Sequence, residues 1–205
     1  VDYRLAPEHP HPAQLEDSLK VLLWMRQKGE EHGIDSGCIM AAGDSAGGQM
    51  TAGLALMLRD AGIDQLRGQV LIYPVLGADT ETASYIVNRD APNLMRDEMV
   101  FYLESFLGPR GSSNWSDPYA VPNIAADASG LPPAFITVAG HDPLHDDGVI
   151  FAEKLKAAGV PVLIREEPAL PHSYMRARHE SAAAMAGFQA IVEALRSLGQ
   201  NGNLP

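Results

Sequence analysis

The chain has few of the residues on which disulfide-stabilised, nucleic-acid-binding or membrane-spanning proteins depend. Cys38 is its only cysteine in 205 residues, which excludes an internal disulfide and a cysteine-based metal site. We expect Cys38 to be a buried residue at a strand start. The chain has 15 Lys and Arg against 26 Asp and Glu. The resulting net charge of -11 argues against nucleic acid or an anionic membrane surface as partner. No apolar run approaches the ~18 residues of a membrane-spanning helix.

Linkers are missing as well. No Ser/Gly/Pro-rich tract or charge block divides the chain, and its apolar fraction of 46% suffices for one substantial core. We therefore expect residues 1–205 to form a single catalytic domain. Residues 1–5 are typical of the end of a strand, which predicts a further segment upstream that would also hold any signal peptide. A cytoplasmic location is the default expectation.

Short apolar runs alternate with helical patterns along the chain. The runs lie at residues 38–42, 69–76, 134–139 and 160–165. Because they lack polar alternation, they are typical of parallel strands covered on both faces. Helical periodicity is present at residues 13–29, 45–60, 146–158 and 180–198. This order predicts a doubly wound α/β fold, a mostly parallel sheet with helices on both faces.

One connection is far longer than the others. Residues 77–133 exceed an ordinary link between two strands, and loops of that length are often functional. Within this cap-like insertion, residues 97–107 have helical spacing with apolar side chains around much of the circumference. Two interpretations stay open. The segment is either a core helix or a lid that presents one apolar face to a substrate pocket.

The most informative motif is Gly43-Asp44-Ser45-Ala46-Gly47-Gly48. It lies between a predicted strand and a predicted helix, the context in which G-x-S-x-G forms a nucleophile elbow. Strand and helix backbones pass very close at such a turn, so residues with little or no side chain are needed around the serine. The alternative is an ordinary glycine-rich turn. The pattern indicates Ser45 as a nucleophile.

A serine nucleophile needs a base and an acid, which follow it in that fold in the order Ser, acid, His. Asp142 is the first carboxylate after the strand at 134–139, and His172 follows the last predicted strand. Asp146 and Asp147 compete less well, since a helix start gives them a structural role. His141 and His145 compete for the base but lie beside the acid. The remaining histidines suit turns, surfaces or a helix start: His9, His11, His32 and His179.

A metal site is the other use for this histidine and aspartate cluster. His141 and His145 have the i, i+4 spacing of zinc ligands on a helix, but Pro143 between them disfavours one helical face. There is no H-E-x-x-H pattern. We therefore predict neither a metal nor a cofactor.

Three segments together resemble the hormone-sensitive lipase family of α/β-hydrolases, a group of carboxylesterases common in bacteria. They are D-Y-R-L-A-P-E-H-P at residues 2–10, G-D-S-A-G-G at 43–48 and D-P-L-H-D-D-G at 142–148. The resemblance implies an α/β-hydrolase fold in which Ser45, Asp142 and His172 are nucleophile, acid and base. The family's H-G-G-G loop, which forms much of the oxyanion hole, is absent from residues 1–205. The backbone N–H of Ala46 is then the one oxyanion donor that the motif supplies.

The family's first strands are absent as well, which predicts an open apolar sheet edge beside residues 38–42. Such an edge invites a homodimer, aggregation or pairing with a separate N-terminal segment. Two functions follow. The first is a serine carboxylesterase acting on small-molecule esters with short to medium acyl chains, with an amidase or deacetylase as a variant of the same chemistry. The second is a catalytically silent module that serves structure or assembly only.

Overall fold

A computed structural model describes residues 1–205 and contains one sheet of four strands. The strands are β1 (Ala41–Asp44), β2 (Gln69–Ile72), β3 (Ala134–His141) and β4 (Val162–Pro171). All three neighbouring pairs are parallel, in the order β1-β2-β3-β4. Val70 aligns with Ala42 on one side and with Phe135 on the other. Parallel pairing requires a crossover between successive strands, which explains why long segments separate them.

Six α-helices accompany the sheet. They are α1 (Ala13–Lys28), α2 (Ala46–Asp60), α3 (Ala83–Val87), α4 (Arg96–Leu107), α5 (His145–Ala157) and α6 (Ala182–Asn201). Helix α2 connects β1 to β2 and α5 connects β3 to β4, whereas the insertion with α3 and α4 connects β2 to β3. No helix combines the length and apolar character that a membrane crossing requires.

The core lies on both faces of the sheet. Side chains of β2 alternate between the two faces: Leu71 packs with α1, α2 and α5, while Val70 and Ile72 pack with α6. Strand β3 continues the pattern, with Ile136 on the first face and Phe135 on the second. This two-sided burial explains the continuous apolar runs and confirms the predicted α/β fold with helices on both faces.

Strand boundaries differ from the predicted runs: β4 covers Val162–Pro171 where residues 160–165 were predicted, and β1 and β2 also differ from their runs. Strand β1 begins at Ala41, because Cys38 closes a turn by donating its N–H to the carbonyl of Asp35. Cys38 is half-buried outside the strand, so its predicted buried place at a strand start was wrong. Strand β2 ends at Ile72, because Tyr73 has a φ of 35° and Pro74 has no N–H for a ladder.

Residues 1–5 do not form the predicted strand end. Arg4 instead binds α1, where its N–H and Nε both contact Oδ2 of Asp17, at 3.0 and 2.8 Å. Within residues 1–205, strand β1 pairs with β2 and with no other strand. Its other side borders an open groove of about 360 Å³, lined mainly by apolar residues that include Met25, Met50 and Leu54. Within residues 1–205, the side of β1 away from β2 is thus unpaired and borders apolar side chains.

Candidate active site

Ser45 lies at the tight turn between β1 and α2. Its φ of 54° and ψ of -116° are a strained conformation for a residue with a side chain. A Cβ at position 43 would lie 2.2 Å from the backbone of Gly47, and a Cβ at position 48 would lie 2.6 Å from Pro74. Only glycine fits at these two positions. The turn therefore holds the Ser45 side chain at the end of the strand, as the motif predicted.

Three side chains from three loops meet at this turn. Nε2 of His172 lies 3.0 Å from Oγ of Ser45, and Nδ1 of His172 lies 2.7 Å from Oδ2 of Asp142. His172 follows the end of β4, and Asp142 follows β3. The structure thus brings together Ser45, Asp142 and His172, the three side chains that the sequence analysis selected.

Burial makes the contact between His172 and Asp142 strong. Asp142 is fully buried and His172 is 4% exposed. The second carboxylate oxygen of Asp142 accepts the N–H of Leu144 at 2.9 Å, which fixes its plane. The ring of Tyr73 packs edge-on against the imidazole at 4.8 Å between centroids. A carboxylate at Nδ1 favours the tautomer that carries its proton there, leaving Nε2 free to accept the proton of Ser45.

Two further carboxylates, those of Asp146 and Asp147, connect the segment after β3 that carries Asp142, here called the acid loop, to the segment after β2. Oδ2 of Asp147 accepts the N–H groups of Leu76 and Gly77, at 2.9 and 2.8 Å. Asp146 accepts the N–H of Ser84 at 2.9 Å. Burial raises the pKa of Asp147 to about 7, against the opposing effect of its two N–H donors. Asp146 and Asp147 lie in the first turn of α5, as expected, and their carboxylates also bind backbone N–H groups of the connection between β2 and β3.

The competing histidines lie elsewhere. His145 contacts Asp146 at 3.1 Å, and His141 is exposed at the end of β3. His11 is buried, with Nε2 at 2.9 Å from Asp117 in the insertion, a pairing that nothing in the local sequence indicated. His179 lies in a turn before α6, which begins at Ala182, so its predicted place at the helix start was wrong. No cluster of three or more His, Cys, Asp or Glu side chains suited to a metal ion is present in residues 1–205.

A pocket of about 540 Å³ opens above Ser45 and His172. One face of α4 forms much of its apolar wall, through Met99, Tyr102, Leu103 and Phe106. Phe101, on another face of the same helix, is 65% exposed, which excludes the interpretation of α4 as a helix enclosed by the core. The pocket is large enough for a small organic molecule, and its apolar wall suits an acyl chain.

Ala46 lines the same pocket as the first residue of α2. The N–H groups in the first turn of a helix have no acceptor within that helix, and they lie at its positive end. The Ala46 N–H is therefore suited to an oxygen that gains negative charge beside Ser45.

A parallel α/β sheet with a serine elbow and a contiguous Ser–His–Asp arrangement defines the α/β-hydrolase class. A family model described as alpha/beta hydrolase fold matches residues 1–176. The chain belongs to this family, in the branch similar to hormone-sensitive lipase that its motifs predicted.

Named relatives agree with this assignment. Carboxylesterase NlhH of Mycobacterium tuberculosis is 46% identical over 176 residues, which are 85% of this chain and 55% of the relative. Ethyl acetate hydrolase of Pseudomonas putida is 34% identical over 202 residues, covering 96% of this chain and 61% of the relative. A solved structure titled bacterial heroin esterase, 33% identical, superposes with a TM-score of 0.91 over 97% of this chain and 63% of that chain. The chain thus spans about half the length of the first of these relatives.

Proposed function

We propose that this chain carries the catalytic residues of a serine carboxylesterase that hydrolyses esters with short to medium acyl chains through an acyl-enzyme. The observation that carries the proposal is the continuous contact from Oγ of Ser45 through the His172 ring to Asp142. Relatives named carboxylesterase and ethyl acetate hydrolase support the same chemistry. The proposed reaction needs no cofactor, because Ser45 supplies the nucleophile and His172 with Asp142 supplies the base.

The proposed reaction has two halves. Oγ of Ser45 attacks the ester carbonyl while Nε2 of His172 takes its proton, and Asp142 stabilises the imidazolium that forms. The N–H of Ala46 donates to the tetrahedral oxyanion. His172 then gives the proton to the departing alcohol, which leaves an acyl group on Ser45. In the second half His172 deprotonates water as the water attacks the acyl group, and His172 then returns the proton to Oγ of Ser45 as the carboxylic acid leaves.

The pocket supports the choice of acyl chain. Its volume of about 540 Å³ and its apolar wall from α4 favour a short or medium chain over a polar substrate. An amidase or deacetylase would use the same three side chains and differ in the contacts to the leaving group.

The open edge at β1 favours a second candidate, a catalytically silent module that serves assembly. Strand β1 pairs only with β2, and an apolar groove lies along its free side. Unpaired strand edges recruit other strands. A homodimer or pairing with an N-terminal segment at this edge stays a prediction, which the solution mass from light scattering checks directly.

Hydrolysis of p-nitrophenyl butyrate at pH 8 separates the two candidates. The wild-type chain is compared with Ser45→Ala and with Ser105→Ala, a matched control because Ser105 lines the same pocket but binds only the carbonyl of Phe101. An esterase loses nearly all activity in Ser45→Ala and keeps it in Ser105→Ala. Equal rates in all three proteins would support the silent module. A p-nitroanilide substrate measured in parallel detects an amidase.

A further inference from the structure

Two asparagine side chains of the insertion bind the backbones of the acid and base loops. Asn88 directly follows α3, and its Nδ2 donates to the carbonyls of Asp142 and Gly140, at 3.1 and 3.3 Å. Nδ2 of Asn93 donates to the carbonyl of His172 at 3.0 Å. The backbones of Asp142 and His172, which follow different strands, therefore both accept hydrogen bonds from one short segment, residues 88–93.

The sheet reaches both loops only through an irregular end of the β3–β4 ladder. The register between β3 and β4 shifts after Ala139, where His141 pairs with Pro171 at the ends of both strands. His172 then lies beyond β4, followed by Ser173 in the left-handed region with a φ of 59°. Backbone carbonyls that a ladder leaves without a partner need donors from elsewhere, and the carbonyl of Asp142 also accepts the N–H of His145 at 3.2 Å. The amides of Asn88 and Asn93 supply such donors.

The same segment forms part of the substrate pocket. Asn93 and the neighbouring Leu94 both line it together with Ser45 and His172. Leu94 is buried against Met99 and Leu103 of α4, so the segment is anchored to the helix that forms the apolar wall. Asn93 has a φ of 71°, a conformation that asparagine tolerates better than most residues with a side chain.

We propose that Asn88 and Asn93 are positioning residues. They hold the main chains of Asp142 and His172 in the relative placement that the hydrogen bonds from Asp142 to His172 and from His172 to Ser45 require. The inference rests on the proposed function of these three residues. A misplacement of about 1 Å in an active site costs on the order of 100-fold in rate. Asn88 is half-buried and has two acceptors, whereas Asn93 is exposed, so water replaces part of the Asn93 bond. We expect the larger effect at Asn88.

The test compares Asn88→Ala, Asn93→Gly and Asn123→Ala. Glycine at position 93 retains the positive φ while removing the donor. Asn123 is the matched control, because its Nδ2 donates to the carbonyl of Asp147 at 3.1 Å, the same kind of bond from the same insertion without a contact to the three reacting residues. For each protein we measure kcat and KM with p-nitrophenyl butyrate, the melting temperature, and the ring-proton NMR resonances of His172, assigned by their loss in His172→Gln.

We expect kcat to fall by about 10- to 100-fold in Asn88→Ala, with little change in KM, and by up to about 10-fold in Asn93→Gly. The His172 resonances should move in both variants and stay in place in Asn123→Ala. His172 resonances that stay in place in both variants would overturn the proposal, whatever the value of kcat. So would a loss of kcat that follows the melting temperature equally in all three variants.

The NMR measurement also separates this inference from the proposed function. If the wild-type chain does not hydrolyse the ester, the esterase proposal fails, but the His172 resonances still report on the geometry of the ring. Movement in Asn88→Ala and Asn93→Gly, and not in Asn123→Ala, then supports positioning by the two asparagines. Unchanged resonances reject it whatever the activity.

Discussion

The stability of this fold should depend on pH through Asp147. Its side chain is 1% exposed, and it ties the acid loop to the start of the insertion through the N–H groups of Leu76 and Gly77. Burial raises its pKa from 3.8 to about 7, so the folded chain keeps this proton over a range in which the unfolded chain has lost it. The folded state therefore binds more protons between about pH 4 and pH 7. Stability from this group is complete below pH 3.8 and is lost as the pH rises to about 7.

The change Asp147→Asn removes this dependence. The difference between the two pKa values corresponds to a cost on the order of 4 kcal/mol for ionising Asp147 in the fold. Asparagine is neutral at every pH, and its carbonyl oxygen can accept both N–H groups. The variant should therefore gain free energy of unfolding relative to wild type as the pH is raised from 5 to 8.

Urea unfolding of wild type and variant at pH 5, 6, 7 and 8 measures this gain, and other titrating groups cancel in the difference. Asp146→Asn is the control. Burial opposes ionisation of Asp146, but the donors Ser84 and His145 hold its pKa below 3.8, so its titration lies outside the measured range. A difference between Asp147→Asn and wild type that stays constant from pH 5 to 8 would refute the reasoning. An equal pH-dependent gain in Asp146→Asn would refute it as well.

Three further predictions concern the site and the core. Asp142→Asn should lower kcat for p-nitrophenyl butyrate on the order of 10,000-fold with the fold intact by circular dichroism, because the imidazole loses its acid partner; a loss below tenfold would argue against the proposed role. Gly43→Ala should abolish activity and lower the melting temperature, because the new Cβ would lie 2.2 Å from the Gly47 backbone; an unchanged melting temperature would contradict this elbow geometry. Leu198→Ala should cost about 2 to 5 kcal/mol in urea unfolding, since Leu198 is fully buried between α6 and the sheet; a cost under 1 kcal/mol would mean that the site relaxes around the cavity.

Sequence patterns within short stretches of the chain were sufficient to predict the elbow and the class of fold. The elbow consists of six consecutive residues. Its glycines and Ala46 permit the close approach of strand and helix within the same turn, so no distant contact is needed to recognise it. The alternation of apolar runs and helical patterns likewise predicts a parallel sheet, because only buried parallel strands are apolar on both faces. Strand ends were less predictable. Cys38 belongs to an apolar run by composition, but a turn with Asp35 keeps it out of β1.

Asp142 and His172 were predicted from the order Ser, acid, His along the chain. Which of the three nearby carboxylates contacts the His172 ring depends on the tertiary structure. Asp142, Asp146 and Asp147 lie within six residues, but β3 and α5 direct them to different partners. The choice for α4 between a core helix and a lid was equally undecidable, because apolar side chains surround much of the helix and only packing leaves Phe101 exposed.

Hydrogen bonds from side chains to distant backbones have no local pattern in the sequence at all. Asn88 and Asn93 reach carbonyls 54 and 79 residues away, and His11 reaches Asp117 across 106 residues. The class of fold and the elbow could be predicted, because the apolar runs, the helical periodicity and the glycine-rich turn each involve residues that are close together in the chain. How the insertion binds the loops of Asp142 and His172 could not be predicted, because those contacts join residues that are far apart in the chain and adjacent only in the folded structure.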